Sequence, residues 1–242
     1  MYSDTVICIP VKWESRTEIV EMILKSSKQQ YLFAGQILMN TISGENFELE
    51  ICEKDERIPI AFAFAGKVNG IKKDEINEVK RHNSVIYLTK RVESLKAIEE
   101  LANITSLIVE SGGYGVKIES AGLAFSKDQW LMLQKNKEIE RFYGMFVCNA
   151  VSSILSGLYS CGMHNLLLKD TIVSGLDYEK GQELIRAFNL YQLFENPKII
   201  EGQTFSIDGG ASVYVVSEEL NQPNKGEELF ENLYGMWRLT AK

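Results

Sequence analysis

Several reactive residue types of this chain come together in the stretch YSCGMHNLLLKD, which runs from Tyr159 to Asp170. It holds a thiol at Cys161, an imidazole at His164 and a carboxylate at Asp170, in a chain with only two histidines. A thiol and an imidazole within hydrogen-bond reach, with a third group that orients the imidazole, would form a nucleophilic site. The stretch is thus a reactive site, a metal site or part of a folded core.

The spacing of these residues favours the third interpretation. On a strand, Cys161 and His164 would point to opposite faces, and Gly162 argues against a helix that would bring them to one face. Structural zinc takes four ligands, whereas the chain offers two histidines and no closely spaced cysteines. We therefore predict no metal and no cofactor, and expect His164 to be structural, near a strand end, with Asp170 capping the loop.

The glycine-rich stretch ESGGYGVKIE, from Glu110 to Glu119, resembles a phosphate-binding loop only superficially. Its glycines precede a strand-like run rather than the start of a helix, so neither nucleotide-binding fingerprint is met. We predict a glycine-rich hairpin between two β-like runs. Glu110 and Glu119 could face each other as catalytic carboxylates, but solvated or ion-paired strand ends are the favoured interpretation.

The net charge of −7 disfavours nucleic acid and anionic membranes as partners, because both attract clustered Lys and Arg. A basic protein suits this charge better. The segment SEELNQPNKGEELFEN concentrates acidic residues, which is typical of a solvated surface. It is also the candidate contact for a basic partner, to which it would contribute steering more than affinity. Its glutamates are Glu218, Glu219, Glu227, Glu228 and Glu231.

The cysteines are widely spaced and lie mostly among apolar neighbours, so we expect reduced thiols. The stretch MYSDTVICIP has neither a basic nor a sustained apolar region, which predicts a cytoplasmic protein. The most apolar run, residues 142–163, is interrupted by Asn149 and several serines. We predict a buried helix near 142–156 that leads into a strand, rather than a membrane span.

Strand and helix patterns alternate along the chain. Five stretches are predicted strands because they are rich in β-branched and other apolar residues: TVICIPVKW, YLFAGQILM, FELEICEKD, PIAFAFAG and SVIYLTKRV. Capping residues at Ser15, Ser94 and Ser126 predict helix starts. Ser174 with Asp177 predicts a further start, of a helix whose apolar stripe is Leu184, Ile185, Phe188 and Tyr191. Together the patterns predict an α+β fold, a single compact domain of mixed sheets and packed amphipathic helices, with room for two lobes at 1–105 and 106–242.

The order and spacing of four stretches resemble a family of uncharacterised bacterial proteins. The stretches are SGGYGVKIESAGLAFSKDQW, YSCGMHNLLLKD, EGQTFSID and NLYGMWRL. That family is associated with type VI secretion and Rhs-type toxin loci, and the likeness covers about residues 107–239. The chain has Leu167 and Lys169 where the family pattern has Gly and Pro, which argues against a tight turn there. Matching positions include Gly113, Glu119, Ser120, Trp130, Gly162, His164, Asp170 and Trp237.

The resemblance implies no catalytic role for these positions, which look like fold determinants. It implies instead a cytosolic immunity protein that neutralises a cognate toxin, basic at the contact, by occlusion. The alternative is an enzyme that acts on a small molecule or reverses a toxin's modification, with a cleft near Cys161 and His164. A structural or adaptor role in secretion is a third hypothesis.

Overall fold

The computed structural model of this protein describes residues 3–153 and 157–242. The first two residues of MYSDTVICIP therefore lie outside the described part. The α+β class predicted from the sequence is confirmed by two mostly antiparallel sheets with packed helices. The chain divides into two compact units, Asp4–Lys137 and Glu138–Lys242. The division falls after Lys137 and not after residue 105, because residue 105 lies inside a helix that packs within the first unit.

The N-terminal unit consists of one sheet and the helices that pack on it. Its strand order is β2-β3-β4-β5-β1-β6-β7. The strands are β1 (Ser3–Val11), β2 (Tyr31–Ala34), β3 (Ile37–Asn40), β4 (Asn46–Glu53), β5 (Ser84–Val92), β6 (Gly115–Ile118) and β7 (Leu123–Ser126). The helices are α1 (Arg16–Ser26), α2 (Ile58–Ala65), α3 (Lys73–Val79), α4 (Leu95–Gly112) and α5 (Lys127–Lys135).

Predicted caps begin three of these helices. The hydroxyl groups of Ser15, Ser94 and Ser126 each accept a hydrogen bond from the backbone N–H three residues further on, at the starts of α1, α4 and α5. Such caps satisfy donors that a helix start leaves without an intrahelical partner. Ile19 of α1 and Ile98 of α4 are fully buried. These three helix starts are therefore confirmed. The start predicted at Ser174 is wrong, because Asp177 is the cap of that helix.

Three predictions for the N-terminal unit were wrong in detail. PIAFAFAG forms α2 rather than a strand, because Pro59 occupies the first turn and Phe62 and Ala65 bury one helical face. The run SLIVE belongs to the last turns of α4, which ends at Gly112, so no glycine-rich hairpin between two strands forms here. YLFAGQILM is not one strand but the hairpin β2–β3.

The C-terminal unit contains a second sheet, with strand order β11-β12-β13-β10-β9-β8. Neighbouring strands are antiparallel except for β10 and β13, which are parallel. The strands are β8 (Cys148–Ser153), β9 (Gly157–Cys161), β10 (Asp170–Val173), β11 (Thr204–Phe205), β12 (Tyr214–Glu218) and β13 (Met236–Ala241). The helices are α6 (Glu140–Phe146), α7 (Tyr178–Glu195) and a 3-10 turn at Met163–Leu166.

Helix α7 covers one face of this sheet through Leu184, Ile185 and Phe188, which pack against Leu158 and Trp237. The helix expected over 142–156 is wrong in extent. It ends at Phe146, and the chain continues as β8, while residues 154–156 lie outside the described part. A short apolar run favours a buried strand as much as a buried helix, so periodicity alone did not separate them.

Candidate functional site

The segment from Tyr159 to Asp170 connects two neighbouring strands of the C-terminal sheet. β9 ends at Cys161, the 3-10 turn follows, and β10 begins at Asp170. Gly162 joins β9 to the turn with a φ of 114°. Residues with a side chain rarely adopt this conformation, so the turn requires glycine here.

Leu167 ends the turn in the left-handed region, with a φ of 66°. A tight turn therefore forms, although the chain lacks the Gly and Pro of the family pattern at Leu167 and Lys169. The expectation from that departure was wrong. A left-handed leucine costs on the order of 1 kcal/mol.

Asp170 is the buried centre of this segment, with a side chain enclosed by hydrogen-bond donors. Its Oδ1 accepts from the Ser160 hydroxyl at 2.8 Å and from the Met163 N–H at 3.2 Å. Its Oδ2 accepts from Asn232 Nδ2 at 2.7 Å. Burial raises the pKa of Asp170 from 3.8 to about 6, and the donors, Asn232 first, oppose that rise. The carboxylate thus fastens β9, the turn and the segment before β13 to one another.

Cys161 and His164 are also buried, at 3% and 1% exposure. Burial raises the pKa of the Cys161 thiol well above its ordinary value, and the nearby charge of Asp170 adds to the effect. Asn224 Nδ2 lies 3.7 Å from the sulfur. Since the thiolate is the nucleophilic form, this environment opposes nucleophilic chemistry at Cys161. The geometry agrees with a structural role for both residues.

A second polar network lies beside Asp170, under helix α7. The Thr171 hydroxyl donates to Asn189 Oδ1 at 2.6 Å, and Asn189 Nδ2 donates to the Tyr143 hydroxyl at 3.3 Å. Gln192 Nε2 donates to the backbone oxygen of Lys169 at 3.2 Å. These buried polar residues were not predicted from the sequence.

The helical spacing holds a signal that would have found two members of this network. Asn189 lies four residues after Ile185, and Gln192 lies four residues after Phe188, so both continue the buried face of α7. Tyr191, which we assigned to that face, is exposed instead. A polar residue on an apolar stripe therefore marked a buried hydrogen-bond network here.

A cavity of about 350 Å³ opens next to the turn. Lys169 lies in its lining with the ammonium group 4.0 Å from the centre of the Trp237 ring, and it forms an ion pair with Glu218. Gln192 and Tyr234 supply further polar groups to the lining. The volume is within the range of small-molecule sites. The ammonium group of Lys169 is thus already engaged by a ring and a carboxylate of the same chain.

The glutamates predicted as a contact for a basic partner divide into two kinds. Glu218, Glu219 and Glu231 bind within the chain, whereas Glu227 and Glu228 are exposed in the turns before β13. The internal partners are Lys169 for Glu218, Arg238 for Glu219 and the Gly226 N–H for Glu231. Only Glu227 and Glu228 therefore offer their charge entirely to the solvent.

The remaining family-pattern positions lie in the N-terminal unit and support its fold. Trp130 is fully buried, its indole N–H donates to the Ser106 hydroxyl at 2.9 Å, and its ring meets Phe125 edge to face. Ser120 is fully buried as well. At Gly113 a Cβ atom would lie 2.9 Å from the backbone of Val109. These side chains are buried or closely packed, which fits the expectation that they determine the fold.

Glu119 forms an ion pair with Lys117, and Glu110 is exposed near the end of α4. This arrangement agrees with ion-paired and solvated carboxylates rather than with a catalytic pair. Across residues 3–153 and 157–242, His, Cys, Asp and Glu side chains form no group of three that could hold a metal ion. No helix in the same ranges has the length and apolar character that crossing a membrane requires. All four cysteines are free thiols.

Comparison with known proteins gives no match, since neither a family model nor a curated protein nor a solved structure corresponds to this chain. The resemblance to the toxin-associated family therefore rests on the quoted residues alone.

Proposed function

We propose that this protein is an immunity protein that binds a cognate antibacterial toxin, of the type VI secretion or Rhs type, in the cytoplasm and neutralises it by occlusion. The observation that carries the proposal is the burial of the reactive residues between Tyr159 and Asp170. Cys161, His164 and Asp170 are at most 3% exposed, and Asp170 is held by three donors. Because a substrate cannot reach these buried groups, we assign them to the stability of the fold. We assign the function to recognition of a partner by the surface of the protein.

The surface between β12 and β13 has the composition of a contact for a basic partner. Glu227 and Glu228 are exposed there, and Leu220 and Leu233 are 78% and 56% exposed in the same segment. Exposed carboxylates raise the association rate with a basic surface, whereas buried apolar side chains supply affinity. A specific interface of this kind buries about 1,200 to 2,000 Å² in total. The segment would form the acidic centre of such an interface.

The test is direct binding to the purified product of the neighbouring toxin gene, measured by titration calorimetry and by association kinetics. We expect a stable complex with one copy of this chain for each toxin molecule. The double variant Glu227→Lys and Glu228→Lys should associate more slowly at low salt. Glu183→Lys with Glu195→Lys is the matched control, because it makes the same change in charge at exposed positions of α7.

The absence of a toxin gene in the neighbourhood, or a toxin that forms no complex with this chain, would contradict the proposal. If the association rate changes neither with salt nor with the substitutions, the acidic segment is not the contact. Occlusion through another surface would remain compatible with that result.

The alternative is an enzyme, and the cavity beside Lys169 is the observation that favours it. Lys169, Gln192 and Tyr234 bring polar groups to a space large enough for a small molecule. An enzyme that reverses a toxin's modification would protect at substoichiometric amounts. Such activity should be lost in Lys169→Ala, whereas occlusion through the glutamate segment should survive this change.

A further inference from the structure

Two cysteines of the C-terminal unit face each other across neighbouring strands. Cys148 begins β8, Cys161 ends β9, and the antiparallel register places the two residues directly opposite one another. Opposite residues of an antiparallel pair have Cα atoms about 4.5 or 5.5 Å apart. Disulfides span Cα separations of about 4.4 to 6.8 Å, so the backbone already holds this pair at a suitable separation.

Both thiols lie on the same face of the sheet. Side chains that are directly opposite on paired strands share a face. Cys148 and Cys161 accordingly pack in one apolar cluster with Tyr159 and Ile172. The register of β8 shifts only between Cys148 and Val151, so the pairing of the two cysteines is kept. The two sulfur atoms are therefore neighbours in one apolar environment.

The other two cysteines of the chain provide a contrast. Cys8 lies on β1 and Cys52 on β4, and β5 lies between these strands in the sheet. Neighbouring strands are about 4.8 Å apart, so the Cα atoms of Cys8 and Cys52 are separated by about 10 Å or more. That separation exceeds what a disulfide can bridge. Cys8 and Cys52 are therefore an internal control, with two thiols in one unit but no geometry for a bridge.

The two opposed thiols differ in their access to solvent. Cys148 is half-buried, whereas Cys161 is 3% exposed. Burial raises the pKa of the Cys148 thiol from 9.0 to about 11, and it raises the pKa of Cys161 well above 9.0. Only a small fraction of either thiol is the reactive thiolate at neutral pH. The pair therefore stays reduced until an oxidant accumulates, and a small oxidant reaches Cys148 first.

We propose that Cys148 and Cys161 are an oxidation site, at which hydrogen peroxide converts the two thiols into a disulfide between β8 and β9. The Cys148 thiolate attacks one peroxide oxygen, so that an S–O bond forms and the O–O bond breaks. The leaving hydroxide takes up a proton and becomes water, and Cys148 becomes a sulfenic acid.

The second step closes the bridge. The Cys161 sulfur attacks the Cys148 sulfur, which forms the S–S bond and breaks the S–O bond. The leaving hydroxide takes the Cys161 proton, so one peroxide molecule oxidises two thiols and yields two water molecules. Because the register holds Cys161 next to the sulfenic acid, proximity compensates for the raised pKa of its thiol. This property is separate from the proposed binding of a toxin.

The first experiment maps the bridge in the folded wild-type protein. The protein is treated with hydrogen peroxide, the excess is removed with catalase, and the remaining thiols are alkylated after denaturation. We expect peptide mass spectrometry to find one intrachain link, Cys148 to Cys161, with Cys8 and Cys52 alkylated. The matched variant Cys52→Ser should form the same link. Four alkylated thiols, a link between any other pair, or Cys148 oxidised to a sulfinic acid without a link would overturn the proposal.

A second experiment tests the order of the two steps. In Cys161→Ser, Cys148 should react with peroxide and remain a sulfenic acid, which dimedone labels. In Cys148→Ser, the buried Cys161 should take up about tenfold less label in the same time, because less of it is accessible thiolate. Circular dichroism checks that both variants are folded. Equal labelling of the two variants would refute Cys148 as the first site of attack.

The stability of the wild-type protein gives a readout that depends on no variant. A disulfide constrains the unfolded chain, so the oxidised protein should have a higher urea midpoint than the reduced protein. Dithiothreitol should reverse this shift. A lower midpoint after oxidation would mean that the bridge strains the two strands, and it would contradict the claim that their register suits a disulfide.

Discussion

Replacing Asp170 with asparagine should change how the stability of the protein depends on pH. Burial raises the pKa of Asp170 from 3.8 to about 6. The folded state therefore holds this proton more tightly than the unfolded state. The resulting stabilisation is complete below pH 3.8, falls as the pH rises and is lost above about pH 6. At about 1.4 kcal/mol for each pKa unit, the loss amounts to about 3 kcal/mol.

The assay is urea unfolding of the wild-type protein and of Asp170→Asn at a series of pH values across this range. Because the amide does not titrate, the wild-type free energy of unfolding minus that of the variant should fall by about 3 kcal/mol as the pH rises. At neutral pH the variant avoids a buried charge. In the variant, however, the amide nitrogen replaces an oxygen that accepted a hydrogen bond from Asn232 or Ser160. Two donors then face each other, and leaving one buried donor unsatisfied lowers the free energy of unfolding by about 1 to 3 kcal/mol.

Asp177→Asn is the matched control, because Asp177 caps α7 at an exposed position. The hydrogen bond from the Lys180 N–H lowers the pKa of Asp177, so its contribution is present above the ordinary pKa and is lost as the pH falls. The two difference curves should therefore slope in opposite directions. A curve for Asp170 that is flat or rises with pH would refute the account of a desolvated carboxylate.

Four further predictions concern the same site and surface. His164→Ala should lower the free energy of unfolding by on the order of 2 kcal/mol, measured by denaturant unfolding, with unchanged toxin protection per folded molecule. Gly162→Ala should cost about 1 to 3 kcal/mol in the same assay, because of its positive φ. Reversing Glu227 and Glu228 to lysine should slow toxin association in stopped-flow measurements, less so at high salt. Mass spectrometry after alkylation in native-redox lysate should find four modified cysteines, whereas a dominant disulfide would contradict the predicted reducing environment.

Capping residues and alternating strands were the most informative parts of the sequence. Ser15, Ser94 and Ser126 predicted helix starts correctly because a cap is a local hydrogen bond between residues three apart. The failures were short apolar runs. PIAFAFAG at α2 and SLIVE in α4 have a composition that suits a buried helix or a buried strand, and only packing against the sheet decides between them.

The candidate site was predictable in part for a related reason. Cys161, His164 and Asp170 lie close together in the sequence, which identified the segment as the candidate site. Their spacing does not suit a catalytic triad, which led us to predict a structural role. The hydrogen bond from Asn232 joins residues that are 62 apart in the chain, so no local pattern could show it. The position of β2 at the end of its sheet was hidden because periodicity gives the face of a strand but not its neighbours.

The central claim is neutralisation by occlusion, and a protection titration against the neighbouring toxin tests it most directly. Toxin activity is measured at a fixed toxin concentration while this protein is added in increasing amounts. The account predicts that activity falls linearly and reaches zero near one folded chain for each toxin molecule, with His164→Ala giving the same end point. Complete protection at a small fraction of one equivalent would contradict occlusion and assign the function to catalysis.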